Sequence, residues 1–221
     1  MIDEKMIVFA PHPDDETLAC GGTIIKKLQE GLNVYIILMT DGRHSHDLIL
    51  RIKEPSPEQI ARIRTAEFKE ATMILGVNPE NKLLLGFEDT KLGQHMTEAK
   101  KIVVEILLKI SPSEVYLPYR SDGPEDHRST YEIVRDSITR TNTHPRIFEY
   151  PVWAVWDGKI PQHGLKVQKV DVSRELAKKK EAVSKYKSQI SKCFPKQKKA
   201  VLSKDFVKMS CSEIETFYTE E

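Results

Sequence analysis

The stretch Met6-Ile-Val-Phe-Ala10-Pro11-His12-Pro13-Asp14-Asp15-Glu16 decides how the rest of the chain reads. Its first half is a short apolar run of the kind that forms a buried strand, and its second half is polar and opens a helical pattern from Glu16 to Glu30. The same succession recurs along the sequence. Val34 to Thr40, Lys82 to Leu85 and Glu114 to Pro118 read as buried strands, while Pro57 to Leu75, Thr97 to Ile110 and His127 to Arg140 repeat apolar residues at three and four, as helices laid on a sheet do. Gly31 and Gly76 fall where helix C-caps belong. The alternation predicts an α/β fold with a mostly parallel, doubly wound, Rossmann-like sheet and helices on both faces. Beyond Arg140 the pattern predicts strands over Arg146 to Trp156 and Leu165 to Val172 and a helix from Ser173 to about Ile190. No Ser-, Gly- or Pro-rich linker interrupts it, so one domain over 1–221 is expected.

The polar half of the opening stretch carries chemistry. Ligand sites in open α/β sheets form at the carboxyl ends of strands, which is where His12 and the three acids after it stand. Three carboxylates within three residues repel one another unless a cation sits among them. A divalent metal would relieve that repulsion, and the prolines flanking His12 hold its backbone extended for presentation. Asp14 or Asp15 is expected to cap the helix that follows. His12 and Asp15, three apart around a turn, can converge on one ion, and a histidine with a carboxylate suits zinc or another divalent first-row metal. A catalytic zinc takes a third protein ligand. The second acidic loop, Ser121-Asp122-Gly123-Pro124-Glu125-Asp126-His127, also follows a strand and opens a helix, so it shares that end of the sheet and offers His127 as the third ligand. Taken alone, a His-Pro-Asp-Asp run is equally a helix cap.

Composition narrows the function classes. With 34 Lys and Arg against 33 Asp and Glu, the net charge of +1 lacks the basic excess a nucleic-acid binder needs. The longest apolar run, Val34 to Met39, is far too short for a membrane span, and the first residues lack the pattern of a signal peptide, so a cytoplasmic protein is expected. Three scattered cysteines suit neither a disulfide framework nor a Cys-based zinc site, and are read as reduced, mostly buried thiols. The Lys-rich stretch Lys178 to Lys199 reads as a solvated face before it reads as an anion-binding patch. The long segment Asp41 to Ser56 reads as a lid, and its His44, His46 and Asp47 as solvent-facing rather than as a second metal site. Trp153-Ala-Val-Trp156 reads as core packing before it reads as a wall for a sugar. No Gly-x-Gly-x-x-Gly follows the first strand, which argues against a dinucleotide site.

These motifs together resemble the PIG-L/LmbE-like zinc-dependent N-acetylglucosaminyl deacetylases. The resemblance rests on Ala10-Pro-His-Pro-Asp-Asp-Glu16 with Gly21-Gly22, Thr40-Asp41-Gly42, and Arg64 and Glu67 ahead of Leu75-Gly76. It continues through Leu85-Gly-Phe-Glu-Asp89, Asp126-His127, and Lys179, Ala182, Tyr186, Ser188 and Gln189 near the C-terminus. It implies His12, Asp15 and His127 as ligands of Zn2+ or another divalent ion, Asp14 as the general base that deprotonates the attacking water, and Arg64 and Asp89 as substrate contacts. Asp126 would support the ligands from behind. The implied activity is removal of the N-acetyl group from an N-acetylated amino sugar of the GlcNAc-conjugate type, a small-molecule substrate, by a chain that can form a homo-oligomer, a trimer or hexamer.

One position departs from the family pattern. Pro124 stands where many members carry a histidine that serves the oxyanion, and a proline can neither donate a hydrogen bond nor carry a proton. Glu125, Arg120, Tyr119 and His163 are the candidate replacements. The departure keeps two rivals open: an amidase for another amide or thiol conjugate, and a metal-containing sugar-binding protein with impaired hydrolysis.

Overall fold

A computed structural model describes residues 4–158 and 164–220 of the chain. Strand β1 (Lys5–Ala10) alternates its side chains across the sheet, sending Met6, Val8 and Ala10 into one apolar core and Ile7 and Phe9 into another. It pairs in parallel with β2 (Asn33–Thr40) on one side and β4 (Glu114–Pro118) on the other. Strand β3 (Lys82–Phe87) extends the sheet beyond β2, and β5 (Arg146–Tyr150) extends it beyond β4, both in parallel. Strand β7 (Ile214–Thr219) then pairs antiparallel with β5 and with β6 (Lys166–Asp171), giving the order β3-β2-β1-β4-β5-β7-β6.

Helices α1 (Asp15–Gln29) and α2 (Pro57–Leu75) cover the first face, joined there by α6 (Leu176–Val183) and α8 (Lys204–Ser210). Helices α3 (Met96–Ile110) and α4 (Glu125–Thr141) cover the second. Local chemistry starts and stops these elements where the sequence marks them. Ser56 and Gln59 form a reciprocal capping box at the start of α2, Pro57 takes its first position, and Gly76 ends it at φ +98°. The mostly parallel, two-faced α/β sheet expected from the sequence is the sheet observed. Chain order reverses between β1 and β4, which opens a crevice at their carboxyl ends.

Three expectations need correction. The strand expected over Arg146 to Trp156 stops at Tyr150, and Trp153–Trp156 forms a helical turn, α5, because Pro151 breaks the ladder and Asp122 captures the amides that follow. The helix expected from Ser173 to Ile190 is two pieces, α6 and α7 (Lys187–Ile190), divided where Ser188 is drawn onto Glu67 of α2. Lys179, inside the stretch expected to be solvated, is fully buried against Glu215. Of the three free cysteines, Cys20 is buried, Cys211 half-buried and Cys193 exposed. No helix among the described residues is long and apolar enough to cross a membrane.

Candidate metal centre

The loop after β1 and the loop after β4 bring His12, Asp15 and His127 together at the crevice. His12 Nδ1 lies 3.3 Å from Asp15 Oδ2 and 3.3 Å from His127 Nε2, and His127 Nε2 lies 3.2 Å from the same Asp15 oxygen. Three donor atoms thus form a nearly equilateral triangle. Tetrahedral zinc with bonds of about 2.0–2.1 Å to nitrogen and oxygen requires ligand atoms about 3.3 Å apart, so the triangle has the edge length of such a site. The other nitrogen of each ring faces carboxylate. His127 Nδ1 is 2.8 Å from Asp122 Oδ2, and His12 Nε2 is 3.2 Å from Asp126 and 3.2 Å from Asp89. An ion held between the inward nitrogens would leave the ring protons on these outer nitrogens, where a carboxylate accepts them, the arrangement metal-binding histidines usually have.

A second group, His12, Asp89 and Asp126, also has converging donor atoms. Its two carboxylates are already engaged with backbone amides: Asp126 accepts from Thr90 N (2.7 Å) and Leu92 N (3.3 Å), and Asp89 from His44 N (2.8 Å). Asp15 Oδ2 accepts from a single amide, His12 N at 2.9 Å, and the first group offers two imidazoles and one carboxylate, a donor set that catalytic zinc takes.

Asp14, the residue before Asp15, is in a conformation that L-residues rarely adopt, φ +133°. Strain of about 1–3 kcal/mol at one residue persists only where the surroundings impose it. Neither Asp14 nor Asp15 caps α1 as expected, because both carboxylates are engaged elsewhere. Asp14 contributes no side-chain cap and lies 3.1 Å from Arg64, while Asp15 accepts from His12 N at 2.9 Å. Burial pushes the Asp14 carboxyl up to about 8, with Arg64 pulling the other way. Burial opposes the charged form of His127, but Asp15 and Asp122 outweigh it and raise the ring to about 9. Asp15 is held well below the usual carboxylate range: its burial is outweighed by His127 and His12. The site attracts positive charge.

Arg64 is buried and donates to Gly42 O (2.9 Å) and Pro13 O (2.6 Å) beside its contact with Asp14. Gly42 is obligatory there, since a Cβ would come within 2.3 Å of the guanidinium and φ is +64°. Above these groups opens a cavity of about 350 Å³, with a polar floor of His12, Asp14, Asp15, Asp89 and Asp126 and apolar walls that include Leu18, Val152, Trp153, Leu202 and Phe206. Trp153 packs against the core as expected, on Phe206 at 4.8 Å between ring centroids, and its other side stands in this wall. The loop after β2 contributes His44, Ser45, Leu48 and Ile49 to the same cavity.

Among the candidate replacements for the missing histidine, Glu125 lines the cavity. Arg120 is ion-paired with Glu149 and with Glu220, Tyr119 packs near Tyr218, and His163 lies outside the described residues. His44 and His46 belong to no converging donor group among the described residues. His44 bridges Asp47 (2.9 Å) and Glu88 (3.3 Å), and His46 is fully buried, edge-on to Phe194.

Asp122 escaped the sequence reading. Besides His127 it accepts from Val152 N (3.2 Å), Trp153 N (2.9 Å) and Ala154 N (2.5 Å). Its only sequence signal was its place five residues before His127, and the partners that define its role lie about thirty residues on. Gln189 also lines the cavity, reaching Ser45 at 3.3 Å.

The family described as PIG-L, GlcNAc-PI de-N-acetylase, matches residues 7–138. The chain is 35% identical over 130 residues to the diacetylchitobiose deacetylase of Thermococcus kodakarensis, covering 57% of this chain and 45% of that relative. That match spans less than half of the relative's length. It is 28% identical over 195 residues to the probable N-acetyl-alpha-D-glucosaminyl L-malate deacetylase 2 of Bacillus anthracis, covering 86% of this chain and 83% of that one. Among solved structures, the N,N'-diacetylchitobiose deacetylase from Pyrococcus horikoshii is similar with a TM-score of 0.73 at 25% identity, over 98% of this chain and 84% of that one.

Proposed function

The chain belongs to the PIG-L family, and from that premise we propose that it is a divalent-metal-dependent hydrolase, with zinc the first choice, that removes the acetyl group from an N-acetylated amino sugar of the GlcNAc-conjugate type. The observation that carries the reading is the triangle of His12 Nδ1, Asp15 Oδ2 and His127 Nε2, with edges of 3.2–3.3 Å and a carboxylate behind each imidazole. These three residues would hold the ion, and the whole chain would act as one domain. When bound, the ion supplies a Lewis acid that acidifies water and polarises the amide carbonyl.

The protein's own groups do the rest. Asp14, next to the triangle and raised toward neutral pH by burial, takes a proton from the attacking water and returns it to the leaving amine. Arg64 fixes the direction of the Asp14 carboxylate through Pro13 O and Gly42 O, and its cavity-facing side contacts substrate. Asp89 and Asp126 hold the His12 ring, Asp122 holds the His127 ring, and the loop after β2 excludes water from above.

Elemental analysis of gently purified protein, beside His12→Ala prepared identically, tests the first step. About one divalent ion per chain, absent from the variant, is expected. Acetate release from N-acetylglucosamine glycosides tests the second. Pro124 supports one other reading, a metal-containing sugar-binding protein without turnover. Pro124→His separates the two, since activity that appears only in the variant favours the binding protein and robust wild-type activity removes it.

A further inference from the structure

Asp14 is held at φ +133° by both polar atoms of the peptide that leads into it. The carbonyl of Pro13 accepts from Arg64 Nη2 at 2.6 Å, and the amide of Asp14 donates to Glu16 Oε2 at 3.3 Å. On its other side, Asp14 O accepts from Thr17 N (3.1 Å) and Leu18 N (2.9 Å), the first bonds of α1. With both flanking peptides fixed, the two soft rotations at Asp14 lose their freedom, and its side chain has one direction in which to leave the backbone. Released from either clamp, a residue at this φ would relax toward ordinary backbone and carry its carboxylate with it.

The clamp on the amide depends on a distant residue. Glu16 is fully buried, and its Oε1 accepts from two hydroxyls, Thr17 Oγ1 at 2.5 Å and Tyr186 Oη. Thr17 is a chain neighbour and moves with Glu16. Tyr186 comes from the other end of the chain, and ties the carboxyl to the rest of the fold. It is buried in the bend between α6 and α7 and does not line the cavity. That bend is held on α2, where Ser188 N and Oγ donate to Glu67 at 2.8 and 2.6 Å. Glu67 stands three residues after Arg64, so the two are neighbours on the helix surface. Both clamps on the Pro13–Asp14 peptide therefore run back to α2, one directly through Arg64, the other through Glu67, Ser188, Tyr186 and Glu16.

We infer that Tyr186 is a positioning residue for Asp14: its hydroxyl, acting through Glu16, holds the Pro13–Asp14 peptide and with it the direction of the Asp14 carboxylate, without touching substrate. The inference rests on the deacetylase reading above and extends it to a residue that lies outside the cavity.

Tyr186→Phe removes one oxygen and keeps the ring in the core. Its kcat for acetate release from an N-acetylglucosamine glycoside should fall about 10- to 100-fold, as a small misplacement of a reacting group produces, with KM within about twofold and the divalent ion retained. In the Asp14→Asn background the same substitution should leave the residual rate unchanged, because the group it positions is gone. A purely structural role gives a different pattern: a lower urea midpoint with kcat per metal-loaded chain unchanged, or the same fold-loss in both backgrounds. Either result overturns the proposal. Should Tyr186→Phe fail to fold, Ser188→Ala, which loosens the bend, should show the same dependence on Asp14 with a smaller loss. If wild type releases no acetate from any glycoside, the deacetylase reading fails, and the clamp is read from crystal structures of the two proteins. Asp14 leaving φ +133° in Tyr186→Phe then upholds it, and Asp14 unmoved overturns it.

Discussion

Lys179 and Glu215 lie beneath α1 as a closed pair 2.7 Å apart, while around His12 and His127 six buried carboxylates, Asp14, Asp15, Glu16, Asp89, Asp122 and Asp126, share one buried guanidinium, Arg64. In the first cluster every charge has its answer: Glu215 also accepts from Gly22 N, Thr23 N and Thr23 Oγ1 at 2.6–2.8 Å. In the second the negative charges outnumber the positive, and the imidazoles are drawn toward their protonated forms to make up the difference. Burial of charge is common to both, so burial alone does not mark a working site. The imbalance does, because a fold gains nothing from gathering carboxylates that repel one another unless something positive is to arrive.

The largest effect should separate the clusters by function. Asp14→Asn should lower kcat for acetate release by about 10²–10⁴, with the divalent ion retained by elemental analysis; unchanged turnover would remove Asp14 from the reaction. Lys179→Met should act only on stability. Leaving Glu215 buried without its cation costs about 3–5 kcal/mol, read as a fall in the urea midpoint, while folded protein keeps its ion; a loss below about 1 kcal/mol would show that the pair is not closed as described. Asp122→Asn bridges the two behaviours. It should weaken zinc affinity about 10- to 100-fold in a chelator competition, with modest loss of fold, and unaltered affinity would mean that His127 needs no partner on Nδ1.

A buried titratable ring that joins neither cluster gives the smallest effect. His46 is kept neutral, its pKa pushed down to about 4 by burial and by Arg64, against about 6.5 in an unfolded chain. Between those values the unfolded state binds more protons than the folded one, so stability drops as pH falls from about 6.5 toward 4, by up to about 1.4 kcal/mol per pH unit. Urea midpoints at pH 7 and pH 5 should therefore converge in His46→Gln, and an equal pH slope in the variant and wild type would count against the buried ring.

The parallel part of the molecule was legible because each strand and helix there is set by local signals: a short apolar run, a cap, a glycine. The same holds for the meeting of His12, Asp15 and His127, since two polar loops after neighbouring parallel strands must share an end of the sheet. What stayed hidden depends on distant partners. Asp122 becomes an anchor only through the amides of 152–154, and Lys179 becomes a core residue only because Glu215 lies opposite it. The final antiparallel strand Ile214–Thr219 and the helix before it went unassigned, although Ser203, which accepts from Phe206 N at 3.1 Å, marks that helix start. The break between α6 and α7 is likewise made by Glu67, more than a hundred residues earlier.

Asp122 has one more consequence. Its two oxygens are filled by four donors, one from the His127 ring and three from successive amides at the foot of Trp153. The wall of the cavity and a corner of the triangle are thereby riveted to a single carboxylate, and neither can be displaced without dragging the other. A ligand wide enough to lever Trp153 outward would twist His127 out of register as it entered. The cavity would then act as its own gauge, admitting narrow guests to an intact site and spoiling the site for broad ones.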